Sequence, residues 1–272
     1  MPIEPLIVTF GYRLKEQYRQ GLVFHTKMNV NSGTVLPDLS GNNNHGTLTS
    51  MANPPSATSG WAGSQGLRFD GVNDYVEKTG FAFVAPPFTI SAWVMNKGGY
   101  VSSYNSIVSR GGANANNCNF DFGMRKQATL LNSRVYLYWR NGSTTYGTEI
   151  VDSALQSTAN WVYITGVVDS SYNLTLYVNG VSIGTDGSNA IPTDGSQALR
   201  IGAWSGTQIT SDYFNGIIDD VRIYNRALSA DEVMHSFAQQ EDEWGLGLDD
   251  DLAIMQGIPI ALLQSGNLMG VR

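Results

Sequence analysis

Groups able to do chemistry are sparse in this chain, and few are spaced to act together. The nearest set of carboxylates, Asp70, Asp74 and Glu77, falls in a segment dense in turn formers. A retaining glycosidase needs two carboxyl groups about 5 Å apart on one strand face. No strand-like stretch carries a Glu-x-Asp-x-x-Glu run, so the cluster reads as turn stabilisation. The three histidines, His25, His45 and His235, form no metal-spaced pair. Cys118 is the only cysteine, which excludes an intrachain disulfide and suits a small buried hydrophobe. Gly245 and Gly247 lack the strand and helix context of a phosphate-binding loop. What the chain does offer is rings in or near turns. Trp61, Tyr146, Tyr172, Trp204 and Tyr213 are the candidate ligand contacts, with Tyr100 and Tyr104 beside them. A ring supported on one face can stack a sugar on the other, although each ring alone equally suits packing against its loop. The expectation is binding without catalysis.

Rings at a rim need a stiff frame, and the sequence supplies a β frame. Phe88, Ile90, Ala92 and Val94 alternate with Thr89, Ser91 and Trp93, the period of a strand with one buried face. Leu174 to Val178 alternates likewise and runs into Asn179-Gly180, a strong two-residue hairpin signal because a type I′ turn needs positive φ at both positions. The return strand starts at Val181. Further strands are expected over 105–110, 119–124, 134–140, 161–168, 199–203 and 214–224. With 30 Gly, 13 Tyr and only 14% charged residues, this is an all-β composition, which excludes a parallel α/β fold. One short C-terminal helix follows, opened by the capping box Ser229-Ala230-Asp231-Glu232 and ending near Gln239. The frame therefore spans 21–238, between extended flanking segments: an N-terminal arm, 1–20, and a C-terminal tail, 239–272. A net charge of −7 opposes binding to nucleic acid. No run of roughly 18 apolar residues suggests membrane insertion, and the first ten residues lack the pattern of a secretory signal.

Four segments carry a resemblance: Asp38 to Leu48, Leu67 to Val76, Phe88 to Val94 and Gly216 to Ser229. In this order they resemble the laminin-G-like domains of the concanavalin A-like lectin and glucanase superfamily. The resemblance implies a two-sheet antiparallel jelly-roll sandwich, in agreement with the alternation. It also implies a structural Ca²⁺ where an early loop meets the last strand, held by Asp38, Asn42, Asn44 and Gly46 together with Asp219. Calcium takes roughly six to eight oxygen ligands, which Asp and Asn side chains and loop carbonyls supply. The same residues also stabilise turns through their own backbone bonds. Alternation places Asp219 on the face of Val221 and Ile223, where a buried carboxylate needs a cation or several donors.

Three functions fit, in descending order. The first is a non-catalytic structural or surface-display protein of a larger assembly such as a virus particle. Its partners are other subunits of that assembly, reached through residues 1–20 and 241–272. It would be made in the cytoplasm and then reside on a virion or another extracellular surface without a signal peptide. The second is a lectin or adhesin that binds surface glycans. A glycosidase is a distant third.

Overall fold

The computed structural model describes residues 18–242, except positions 31, 52–56, 62–63, 83–84, 98–103, 113–117, 128, 188–189, 191, 193–195 and 207–211. The expected flanks 1–17 and 243–272 lie outside the described residues, as does Tyr100. In chain order the strands are β1 Leu22–Thr26, β2 Val35–Leu36, β3 Gly46–Thr49, β4 Ala57–Ser59, β5 Gln65–Asp70, β6 Tyr75–Lys78, β7 Phe88–Asn96 and β8 Tyr104–Gly112. They continue as β9 Cys118–Gln127, β10 Thr129–Asn141, β11 Thr144–Val151, β12 Val162–Val168, β13 Asn173–Val178, β14 Val181–Gly187, β15 Ser196–Ile201 and β16 Asn215–Tyr224. Helix α1, Ala230–Asp242, follows.

These strands make two eight-stranded antiparallel sheets, a jelly-roll sandwich. The first runs β14-β13-β12-β7-β16-β5-β4, with β1 also on β16, and the second runs β11-β10-β9-β8-β15-β6-β3-β2. Alternation decides what lies between them. From β7 come Phe88, Ile90, Ala92 and Val94, and from β9 and β10 come Phe120, Phe122, Met124, Val135, Leu137 and Trp139. Phe88 meets Phe120 across the gap at 5.9 Å between ring centroids. Each such side chain contributes about 1.5–3 kcal/mol by leaving water. Gly166 in β12 keeps the sheets close, because a Cβ there would lie 2.7 Å from Leu137 Cδ2. The Asn179-Gly180 turn forms as the sequence predicts, with φ of 49° and 77° and Val178 paired to Val181.

Strand β16 changes partner midway. Asn215 to Ile218 pair with β5, whereas Val221 to Tyr224 pair with β1. The register against β7 shifts between Asp219 and Arg222, and Asp220 has φ 43°. This bulge resets the alternation. Ile218 and Val221 both face the core, while Asp219 lies opposite Trp93, on the outer side of the sheet. Asp219 is buried as expected, at 2% exposure, but on the face opposite to that of Val221 and Ile223.

Helix α1 covers the outer face of the first sheet. Ser229 N–H donates to Glu232 Oε2 (2.9 Å) and Glu232 N–H to Ser229 Oγ (3.2 Å), the expected capping box. Val233 joins Val167, Tyr177, Tyr224 and Leu228 in a second apolar cluster. Phe237 lies against Trp93 and Tyr163, and the Trp61 ring stacks on Trp93 at 3.8 Å. Among the described residues, no helix is long and apolar enough to cross a membrane.

Candidate ligand-binding face

The residues matched to a calcium site divide into two hydrogen-bonded hubs. In the first, the Asp38 carboxylate accepts from His25 N (3.0 Å), Ser40 N (3.0 Å), Ser40 Oγ (2.8 Å) and Asn44 N (2.9 Å). Burial works against its ionisation, and these four donors overcome that and hold the carboxyl below its usual range. Asn42 and Asn44 turn their side-chain amides onto the carbonyls of Leu22 and Val23, while Gly46 starts β3. In the second hub, Asp219 accepts from Trp61 N, Ser64 Oγ and Asp220 N. Burial, then the neighbouring Asp220, pushes Asp219 up to about 6 against those bonds.

Asp220 links the two hubs. It accepts from both nitrogens of Arg222 at 2.8 and 2.9 Å, and His25 Nε2 lies 3.0 Å away. Although burial opposes it, Arg222 and His25 hold Asp220 far below the usual carboxylate range. A carboxylate offers about four lone-pair positions, and at Asp38 all four face protein donors. The donor set as folded therefore does not fit a cation at Asp38. Among the described residues, no group of three or more His, Cys, Asp or Glu is placed to hold a metal.

The rings singled out from sequence scatter. Trp61 is held by Trp93 on the first sheet, and Tyr146 packs against the core. Tyr172 occupies a turn at φ 64° with its N–H on the Asp169 carbonyl. Trp204 and Tyr213 flank the loop after β15, where Tyr213 bridges to Ala203. The structure does not bring these five rings together in one site.

A different set converges on the outer face of the second sheet. Opposite the core-facing Val135 and Leu137, β10 presents Arg134, Tyr136 and Tyr138. Tyr136 and Tyr138 stack at 5.0 Å, and Tyr104 of β8 meets both edge-on, at 5.5 and 6.3 Å. Arg125 of β9 lies over the Tyr104 ring at 4.5 Å. Glu149 of β11 ties these strands together. It accepts two bonds from Arg125 Nη1 (2.9 and 2.8 Å), one from Arg134 Nη1 (2.6 Å) and one from the Tyr138 hydroxyl (2.8 Å). These bonds hold its carboxyl below the usual range despite burial.

Further along the same face Asp121 accepts from the Tyr136 hydroxyl (3.2 Å), which lies 3.4 Å from Ser106 Oγ. Burial of the Asp121 carboxyl, reinforced by Asp212, pushes it up to about 7. It therefore exchanges protons near neutral pH. The stripe continues across β15 and β6, where Arg200 bonds Glu77 at 2.8 Å and lies over the Tyr75 ring at 4.7 Å. Rings beside fixed donors and acceptors can orient a polar, ring-shaped ligand. Sequence reasoning named Tyr104 here but missed Arg125, Arg134, Tyr138, Glu149 and Asp121, which become neighbours only through strand pairing.

Comparison with curated proteins returns no match. Among solved structures, domain 4 of an extracellular arabinanase from Geobacillus stearothermophilus, solved with arabinotriose, superposes with a TM-score of 0.58 at 20% identity over 79% of this chain and 97% of that one. The binding domain of Paraclostridial Mosquitocidal Protein 1 gives 0.58 at 21% identity over 82% of this chain and 53% of that one. A Trypanosoma rangeli sialidase, solved with sialic acid, gives 0.56 at 16% identity over 82% and 33%. This chain thus spans about half of the toxin binding domain and a third of the sialidase, and the likeness is one of fold. The sequence profile described as concanavalin A-like lectin/glucanases superfamily matches residues 70–234, carrying the last two strands and the start of α1 along with the second sheet's ligand face. By that match over more than half its length, the chain belongs to the concanavalin A-like lectin/glucanases superfamily.

Proposed function

We propose that this protein is a non-catalytic carbohydrate-recognition module. The observation that carries the reading is the outer face of the second sheet, where the half-buried Tyr104 and Tyr138, packed on the buried Tyr136, stand beside the fixed polar groups of Arg125, Arg134, Glu149 and Asp121. Sugars are bound by this pairing of ring faces with oriented hydrogen bonds. Arabinotriose bound in a structure of like fold supports it. A glycan array should return a defined set of binders, lost on Tyr138→Ala in a protein that remains folded. An empty array would remove the reading. As for catalysis, Glu149 is committed to two arginines and a tyrosine, so it is a poor partner for Asp121 in an acid pair. Incubation with β-glucans, arabinans and sialosides should release no reducing sugar.

The module is displayed on a larger assembly such as a virus particle, on the outside of the cell. One observation favours display: both flanks leave from one side. The Tyr18 ring stacks on His235 of α1 at 4.1 Å, Arg226 Nε donates to the Gln20 carbonyl, and α1 leads straight into the tail. Light scattering should find an oligomer that dissociates when residues 1–17 or 243–272 are removed. A monomer in full-length protein would count against subunit docking by these flanks. The Asp38 loop is held by its own hydrogen bonds.

A further inference from the structure

We propose that the sugar bound on the second sheet is an acidic one, gripped through its carboxylate or sulfate by Arg125 and Arg134; this rests on the carbohydrate-binding reading above. The two arginines are directly opposite one another on β9 and β10. Like charges so placed repel, and a single carboxylate, Glu149, stands between them. Its four acceptor positions are filled by Arg125, Arg134 and Tyr138, so among the described residues two bonded positive charges share one carboxylate. The nearest other carboxyl along the face, Asp121, is bonded instead to Tyr136.

The exposure of the cluster points the same way. Glu149 lies deepest, with its side chain 14% exposed, whereas those of Arg125 and Arg134 are 24% and 27% exposed. The arginines are therefore the more exposed members of the cluster. Each guanidinium has five N–H groups. The Nε groups of both arginines are buried without a partner among the described residues, so a ligand meets the remaining N–H groups of these partly exposed side chains. Arg125 lies over the Tyr104 ring, and Tyr138 adds a second ring beside it. A guanidinium fork matches the planar geometry of a carboxylate or the oxygens of a sulfate, and the flanking rings suit the sugar that carries it. In a chain of net charge −7 the Arg125–Arg134 pair, with Glu149 as its one bonded carboxylate, is a local excess of positive charge that favours an anionic sugar over a neutral one.

The test is titration calorimetry of the full chain with sialyllactose, tri-galacturonate and a heparin tetrasaccharide, against lactose and maltotriose as neutral controls. At least one acidic sugar should bind roughly tenfold or more tighter than its neutral counterpart, and binding should weaken with salt. Whether the carboxylated or the sulfated sugars bind tells which anion is read. Arg134→Gln should reduce that affinity roughly tenfold, and Glu149→Gln, which leaves both arginines uncompensated, should raise it. A merely structural cluster would lose stability in both variants but would not move affinity in opposite directions. Equal binding of neutral and acidic sugars, unmoved by Arg134→Gln, would overturn the acidic specificity and leave sugar binding standing. Failure of every sugar would remove both.

Discussion

The two sheets follow one alternating pattern and turn opposite kinds of surface outward. The first sheet's outer face bears Trp93, Tyr163, Val167, Tyr177 and Tyr224, and α1 closes over them. The second bears Arg134, Tyr136, Tyr138, Arg125, Glu149 and Asp121, and no α-helix covers it among the described residues. Apolar and aromatic outer positions call for a cover, which the chain provides by folding back its own end. Charged positions interleaved with tyrosine satisfy one another across strands, with Tyr136 buried and Arg125 and Arg134 partly exposed. A sandwich thus acquires a covered structural side and a side to which the proposed function assigns the ligand.

Substitutions test how sharp that division is. Trp93→Ala removes the ring held by Trp61, Tyr163 and Phe237, and should destabilise the protein by about 3–5 kcal/mol in chemical denaturation. Tyr138→Ala on the other side should cost less than half as much and mainly impair ligand binding. Equal losses from the two would erase the distinction. Asp38→Ala leaves the amides of His25, Ser40 and Asn44 without their acceptor and should cost roughly 2–4 kcal/mol, while a calcium chelator leaves the melting temperature of the native chain unchanged.

The acid groups should divide by sign. The folded pKa of Asp38 is lowered, so its stabilisation is complete above the unfolded value of about 4 and is lost as pH falls below it. Asp121 is raised to about 7, so the folded state keeps a proton that the unfolded chain has already released, and stability drains away as pH rises from about 4 to 7. Asp121→Asn should remove that slope, a change on the order of 2 kcal/mol after allowance for partial exposure, in melts across that range. The smallest effect belongs to the helix. Ser229→Ala loses one half of the capping box, and about 1 kcal/mol of stability, with ligand binding intact.

Much of the frame was legible in the sequence because its signals are local. Alternation in Phe88 to Val94, the Asn179-Gly180 turn and the Ser229 to Glu232 box each involve neighbours in the chain, and each forms as read. The ligand face was not legible, for three physical reasons. Strand β11, which delivers Glu149, is an edge strand with no fully buried position, so no alternation betrays it. Tyr104, Arg125, Arg134 and Glu149 meet through the β8-β9-β10-β11 register, which no local motif encodes. The bulge at Asp219 and Asp220 depends on an Asp at positive φ, without a glycine to announce it, and so it inverted the expected facing of Asp219.

The pairing of β1 with β16 has a mechanical consequence. Leu22, the first residue of β1, lies opposite Tyr224, the last of β16. A pull that drew the two flanks apart would load this antiparallel ladder from its open end and break its bonds one at a time, as a zipper parts, instead of shearing them together. Such a join is weak under tension. A tether gripping both flanks at one point would transmit no load across the ladder at all, leaving the module free to swing while the grip on its ligand bears the strain.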